Sequence, residues 1–180
     1  MKIQIIGGSG CGKSTLGKAL AERCGVPWID CDRYLWKDTN FTENYPIAER
    51  FAMYETDRAA CDDYVASGSV RAWHPDGFSD RELYVLMVLD ERQRLQRLYD
   101  REYARFGARM LPGGGHYALT RDFLAWCETY LTEDENAVCS LAAHKKWLKD
   151  AGCKTLELDA SQPTERLCEQ ILAAYGDGTA

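Results

Sequence analysis

The feature that most constrains this chain is the stretch Gly7–Thr15, "GGSGCGKST", which directly follows the apolar run "IQII". Gly7, four further residues and then Gly12-Lys13-Ser14 match the G-x-x-x-x-G-K-[ST] pattern of a phosphate-binding loop. Glycines let the backbone approach a ligand, so successive N–H groups can surround a polyphosphate at the start of the next helix. The residues expected to hold the phosphates are Gly8, Ser9, Gly10, Cys11, Gly12, Lys13, Ser14 and Thr15.

Two side chains of this loop have separate chemical roles in the pattern. Lys13 would reach the β- and γ-phosphates and act in catalysis, and the Ser14 hydroxyl would coordinate Mg²⁺. The flanking sequence suits the motif, because "KIQIIG" has the length and apolar character of a strand. "KSTLGKALAERCG" has helical spacing and stops at Gly25. We therefore predict ATP and Mg²⁺ as the cofactors.

The overall composition limits the kinds of partner. The 180 residues suit a single domain over 1–180, and the net charge of −6 argues against nucleic acid or an anionic membrane as the main partner. Apolar runs are far shorter than a membrane span, and the N-terminal residues lack a signal-peptide pattern, so a cytoplasmic location is expected. The eight cysteines form no C-x-x-C pair, which favours structural thiols in a reducing compartment.

Short strand-like runs alternate with helical patterns along the chain. The runs are "KIQIIG", "VPWIDC", "DYVASGSV", "ELYVLMVL" and "CKTLELD". This alternation predicts an α/β fold with a five-stranded parallel sheet and helices on both faces. Residues 33–63 and 106–120 look like insertions, and the second contains a proline and three consecutive glycines, which predict a mobile loop. Ligands of such sheets bind beyond the C-terminal strand ends.

Two carboxylates stand at the end of the second strand, in "DCD". Asp30 and Asp32 are alternate residues and would face the same side of the strand. Beside a nucleotide, one could hold a Mg²⁺-bound water while the other accepts a hydrogen bond or proton from a substrate hydroxyl. The alternative is a solvated strand end entering a loop. Asp32 is the stronger candidate of the two.

A second acidic pair, Asp90-Glu91, follows the strand "LYVLMVL". It is similar to the Walker-B pair of motor ATPases, in which Asp90 would bind Mg²⁺ and Glu91 would act as base. Alternatively Asp90 caps the clear helix "ERQRLQRLYDREYARFG", since aspartate is a favoured N-cap. We favour the cap.

That helix carries a stripe of arginines at helical spacing: Arg94, Arg97, Arg101 and Arg105. Such stripes are usually solvated faces. This one leads into the Gly-rich loop that contains Arg109, and arginine gives bidentate contacts to phosphate oxygens. We therefore predict that Arg101 and Arg109 belong to a lid that closes on the phosphates.

Taken together, these segments make the chain resemble the P-loop kinases of the nucleotide and shikimate kinase type. Its features are similar to those of short bacterial proteins described as adenylate kinase-like or AAA-family ATPases, and more distantly to DNA topology modulation proteins. The resemblance implies that residues 33–63 bind the acceptor and that residues 106–120 form the lid. In "WIDCDRYLW" it implies a Mg²⁺ role for Asp32 and an acceptor role for Asp30.

Other segments match the same family by position. "SGSVR" resembles the acceptor-phosphate segment of adenylate kinases, which implies roles for Gly68 and Arg71. "RLQRLYDRE" resembles the approach to the lid, which implies that Arg97 lies near the adenine and that Arg101 contacts the phosphates. "LDASQPTERL" resembles the loop that borders the adenine, around Ser161 and Pro163. Ser67 departs from the pattern, because adenylate kinases have aspartate there, and the far end of the lid lacks the family's paired arginines.

The sequence thus predicts transfer of the γ-phosphate of Mg·ATP to a small-molecule or nucleotide acceptor. The alternative is an ATPase, or an ATP-responsive regulator, without a dedicated acceptor. Several aromatic residues could stack on an acceptor's base or belong to the core, and Trp36 is included among the substrate candidates. The aromatic candidates are Trp36, Tyr45, Phe51, Tyr54 and Trp73.

Overall fold

A computed structural model of the chain describes residues 1–38 and 42–176. Within that part, five strands form one sheet in the order β2-β3-β1-β4-β5, and every neighbouring pair is parallel. The predicted parallel sheet is therefore confirmed. The strands are β1 (Lys2–Gly7), β2 (Trp28–Asp30), β3 (Tyr64–Ser67), β4 (Leu83–Val88) and β5 (Lys154–Asp159).

Helices cover both faces of the sheet, because alternate residues of the central strands point to opposite sides. Ile5 of β1 packs in one cluster with Leu16 and Ile171, whereas the adjacent Ile6 packs in another with Leu141 and Trp147. The helices are α1 (Lys13–Cys24), α2 (Ile47–Ala59), α3 (Glu91–Phe106), α4 (Tyr117–Glu128), α5 (Leu141–Lys149) and α6 (Thr164–Gly176).

Two strands end earlier than the apolar runs predicted, for local reasons. The Asp30 carboxylate accepts a hydrogen bond from the Asp32 amide at 3.2 Å, which starts a 3₁₀ turn over Cys31–Tyr34. β3 stops at Ser67 because Gly68 has a φ of +100°, outside the strand region. Both changes of direction occur at the edge of the sheet where β1 leads into the phosphate loop.

The two predicted insertions differ in structure. In 33–63 an antiparallel bridge joins Trp36 to Asn44 ahead of α2, and residues 39–41 lie outside the described part. In 106–120 a 3₁₀ turn covers Gly107–Met110, but α4 begins at Tyr117. The prediction of a loop over 106–120 was therefore wrong at both ends: Phe106 still belongs to α3, and the last four residues belong to α4, because helical spacing resumes soon after the glycines.

The described helices include none that is both long enough and apolar enough to cross a membrane. All eight cysteines are free thiols, four of them buried. This agrees with the prediction of structural thiols.

Candidate active site

The phosphate loop connects β1 to α1 and has the backbone that its glycines allow. Gly10 and Gly12 have φ of +87° and +98°, values that other residues rarely adopt. Gly10 also lies so close to α3 that a Cβ there would be 2.7 Å from Leu98 Cγ and 2.9 Å from the Arg94 carbonyl oxygen. Any residue larger than glycine at position 10 would therefore collide with α3.

Arg94 holds this loop from behind and is only 1% exposed. Its Nη1 donates to the Ser9 carbonyl at 2.8 Å, and its Nη2 donates to the Cys127 carbonyl at 2.7 Å. The Glu91 carboxylate accepts from Nε at 2.8 Å and from Nη2 at 2.6 Å. Arg94 thus connects the start of α3, the phosphate loop and the end of α4 through one guanidinium.

A tyrosine and a histidine complete this support. A Cβ at Gly8 would lie 3.0 Å from the ring of Tyr130, whose hydroxyl is 2.9 Å from Nδ1 of His144. Burial, with a smaller effect of the Lys13 charge, lowers the pKa of His144 to about 3. The imidazole is therefore neutral at physiological pH and adds no positive charge to that of Arg94 under the loop.

The loop opens on a cavity of about 1620 Å³ beyond the C-terminal ends of the strands. This is the position that the fold rule predicts for a ligand. The lining combines the loop, the end of β2, the segment after β5, one side of α3 and one side of α4. Among the predicted residues, those in the lining are Ser9, Gly10, Cys11, Gly12, Lys13, Ser14, Thr15, Asp30, Asp32, Trp36, Arg97, Arg101, Ser161 and Pro163.

The acidic end of β2 and the loop lysine influence each other electrostatically. Burial and the neighbouring Asp32 carboxylate raise the pKa of Asp30. Burial works against the Lys13 ammonium, but the surrounding acidic groups, led by Cys11 and Asp32, outweigh it, so the pKa of Lys13 lies above its ordinary value. Lys13 therefore keeps its charge where a phosphate would need it.

Four predicted residues lie outside the lining. Gly8 packs on Tyr130, and Gly68 lies beside the site, since a Cβ there would be 3.9 Å from Asp32 Oδ1. Arg71 instead places its guanidinium 5.4 Å from the centre of the Trp147 ring. Arg109 is exposed, with its guanidinium 6.0 Å from the Phe106 ring. The structure therefore does not bring these two arginines to the cavity.

The aromatic candidates separate in the same way. Tyr54 and Trp73 are buried in a core cluster, and Phe51 packs against Trp73 at 5.4 Å between ring centres. Tyr45 lies near Lys37, whose ammonium is 5.9 Å from the ring centre. Only Trp36 of the five lies in the cavity lining.

Asp90 caps α3, as favoured above: its carboxylate accepts from the Gln93 amide at 3.1 Å. Glu91 is engaged by Arg94. Neither residue lines the cavity described above. The acidic pair is thus occupied by structural contacts at the start of the helix.

The sequence predicted Arg97 and Arg101 of α3 and the lid segment 106–120 as parts of the site, but it did not predict the other lining residues of α3 or the part of α4 beyond residue 120. Glu102 is 4% exposed and forms an ion pair with Arg101 at 2.8 Å, and both line the cavity. The signal that could have found Glu102 is its position beside Arg101 in the arginine stripe. Phe106, His116, Leu119 and Thr120 of the lining fall in the predicted lid, whereas Arg105, Phe123 and Trp126 were not predicted as site residues.

The fit to Mg²⁺ rests on the oxygen donors of the lining. The Ser14 hydroxyl and the carboxylates of Asp30 and Asp32 are hard ligands of the type that Mg²⁺ prefers. Mg²⁺ usually binds through one or two such groups together with substrate phosphates. Within 1–38 and 42–176, no group of three or more His, Cys, Asp or Glu side chains is arranged to hold a metal ion.

Comparison with known proteins gives matches in sequence and in structure. Residues 9–58 match the shikimate kinase family. Over 173 residues, 94% of each chain, the sequence is 34% identical to a Bacillus subtilis (strain 168) protein, "Uncharacterized protein YqaC". Among solved structures, a shikimate kinase from Acinetobacter baumannii in complex with shikimate aligns with a TM-score of 0.59 at 17% identity, covering 99% of this chain and 94% of the other. A gluconokinase from Sinorhizobium meliloti 1021 gives 0.54 at 18% identity, covering 98% and 91%.

Proposed function

This chain belongs to the family of the Bacillus subtilis protein YqaC, within the P-loop nucleotide/shikimate kinase-like superfamily, and we propose that it is a phosphotransferase. It moves the γ-phosphate of Mg·ATP to a hydroxyl or phosphate group of a small-molecule or nucleotide acceptor. The observation that carries the proposal is a single cavity lined by the phosphate loop, the acidic end of β2 and the arginines of α3. The volume of this cavity, about 1620 Å³, is larger than the roughly 300–1,000 Å³ that is typical of a pocket for one small molecule.

The residues of the cavity divide into parts that suit this reaction. The loop amides and Lys13 hold the nucleotide phosphates. Asp32 accepts a hydrogen bond or proton from the acceptor, or from a metal-bound water, and Arg101 balances charge on the transferring group. Ser14 and Asp32 would hold Mg²⁺, which would supply positive charge beside the phosphates.

The metal and acceptor roles of the two acidic segments can be separated by a matched pair of variants. Asp32→Asn should lose turnover by orders of magnitude while ATP binding persists, because its charge acts mainly in the transition state. Asp90→Asn keeps a side-chain oxygen that can cap the helix, and asparagine is about as favourable an N-cap as aspartate, so both stability and turnover should stay nearly intact. The measurements are ATP turnover with and without a panel of acceptors that includes shikimate and gluconate, and binding of Mg·ADP.

Nucleotide binding itself is tested by thermal unfolding. Saturating Mg·ATP or Mg·ADP should raise the melting temperature, because a ligand that binds only the folded state stabilises it. Lys13→Ala should remove most of that shift. An unchanged melting temperature in the wild-type protein would contradict the proposal at its base, and an active Asp32→Asn beside an inactive, folded Asp90→Asn would favour an ATPase of the motor type.

A further inference from the structure

One wall of the cavity comes from α4 and the residue before it. Five side chains of this segment line the cavity together with Lys13 and Asp32. Their spacing of one to four residues places them on one side of the helix. We call this set the α4 wall: His116, Leu119, Thr120, Phe123 and Trp126.

The α4 wall exposes apolar and aromatic surface inside the cavity. Leu119 is 50% exposed and Trp126 is 48% exposed, and both lie on the cavity side of the helix. The Phe123 ring lies 6.3 Å from the Trp126 ring, tilted by 34°. A ligand that covers these rings would remove apolar surface from water, which is favourable.

The polar groups of the α4 wall are few and buried. Thr120 is 3% exposed, and its hydroxyl oxygen has no hydrogen-bond partner among the described residues. A buried hydroxyl without a partner is unfavourable, and threonine in a helix has two accessible χ1 rotamers. Rotation about χ1 would offer this hydroxyl to a ligand. His116 is 7% exposed and stacks on Phe106, with 3.7 Å between ring centres and 25° between planes.

We propose that the α4 wall binds the acceptor and that the acceptor is a flat ring compound carrying a hydroxyl group, such as a nucleoside or a hydroxymethyl-pyridine. This inference rests on the proposed phosphotransferase function and specifies its substrate class. Flat rings match the aromatic surfaces of Phe123 and Trp126. A polyhydroxylated acid would need a partner for each hydroxyl, whereas the five side chains offer one hydroxyl and one imidazole.

The experiment measures binding of defined probes to the full chain saturated with Mg·ADP. The ring probes are adenosine, guanosine, cytidine, thymidine and pyridoxine, and the comparison probes are shikimate and gluconate. Isothermal titration should show that at least one ring probe binds and that both acids do not. Phe123→Ala, and independently Trp126→Ala, should weaken that ring probe at least tenfold.

Two further variants make the test specific. Thr120→Val keeps the shape of the side chain and should weaken the ring probe severalfold without lowering the melting temperature, because the hydroxyl has no partner to lose. Tyr99→Ala is the matched control: Tyr99 is 42% exposed on α3 and outside the cavity lining. It should leave binding of the ring probe unchanged.

Three results would overturn the inference. They are failure of all five ring probes to bind, binding of shikimate or gluconate in preference to them, and a loss of Mg·ADP affinity instead of ring-probe affinity in Phe123→Ala. The last result would assign the α4 wall to the nucleotide. Failure of the phosphotransferase proposal is distinguishable, because the wild-type protein would then show no thermal shift with Mg·ATP or Mg·ADP, or Asp32→Asn would keep turnover while a folded Asp90→Asn lost it.

Discussion

Replacing Arg94 tests whether the phosphate loop depends on the guanidinium behind it. Arg94→Met keeps an apolar stem of similar length but removes every donor. The Glu91 carboxylate and the carbonyls of Ser9 and Cys127 then lose the hydrogen bonds that Arg94 supplies. The variant therefore leaves acceptors at the loop that were paired in the wild-type protein.

The size of the effect follows from burial. Breaking a buried ion pair by removing one partner costs about 3–5 kcal/mol. The Glu91 side chain is 23% exposed and can regain some hydration once Arg94 is removed. We therefore expect a loss at the lower end of this range, about 3 kcal/mol of the free energy of unfolding. For a chain of 150–250 residues, about 2–4 °C of melting temperature corresponds to 1 kcal/mol, which gives a decrease of roughly 6–12 °C.

The assay is thermal unfolding with and without saturating Mg·ATP. Because Ser9 belongs to the loop, Arg94→Met should also show a smaller Mg·ATP-induced rise than the wild-type protein. Arg92→Met, an exposed position on the same helix, is the control and should melt close to the wild-type temperature. An Arg94→Met protein that melts within 1 °C or so of the wild type would refute the reasoning.

Two other predictions concern the packing below the loop. Gly17→Ala should destabilise the protein by about 1–3 kcal/mol, because a Cβ at this position would overlap the Ser67 hydroxyl. Adding Ser67→Ala should recover part of the lost stability. An unchanged melting temperature in Gly17→Ala would contradict this packing argument. The pKa of His144 is about 3 in the folded protein, whereas its ordinary value, which applies to the unfolded chain, is 6.5. As the pH falls, the unfolded chain therefore binds the proton first. The free energy of unfolding should consequently decrease as the pH drops below about 6.5. The melting temperature of wild-type protein should therefore decrease more between pH 7 and pH 5 than that of His144→Gln, and equal decreases would argue against the neutral imidazole.

The sheet and the loop could be predicted because local sequence determines both. The apolar runs of β1 and β4 are buried on both faces of the sheet, which is typical of central parallel strands. The spacing of Gly7, Gly12 and Lys13 is the pattern of a phosphate-binding loop. The N-cap role of Asp90 could also be predicted, because it depends only on the three residues that follow.

The directions of the arginines could not be predicted, because they depend on tertiary neighbours. Arg94 and Arg101 lie on the same predicted stripe, yet Arg94 turns under the loop and Arg101 faces the cavity. What separates them is the position of α4, whose Cys127 carbonyl accepts from Arg94. The sequence analysis predicted a loop as far as residue 120 and did not predict α4, so the contact between Arg94 and Cys127 could not be foreseen. Phe123 and Trp126 of the α4 wall were missed for the same reason.

The departure at Ser67 explains how the acidic residues of the site are arranged. Ser67 stands at the end of β3, where the family pattern has an aspartate, and its side chain is buried and 1% exposed. Its hydroxyl donates to the Lys13 carbonyl at 3.1 Å and accepts from the Trp28 indole at 3.0 Å, so it fixes α1 against the sheet. The carboxylates at this edge therefore come from the neighbouring β2, where Asp30 caps the turn that begins at Cys31 by accepting from the Asp32 amide. From this we infer a division of roles in which Asp30 positions the turn and Asp32 meets the acceptor or the metal-bound water.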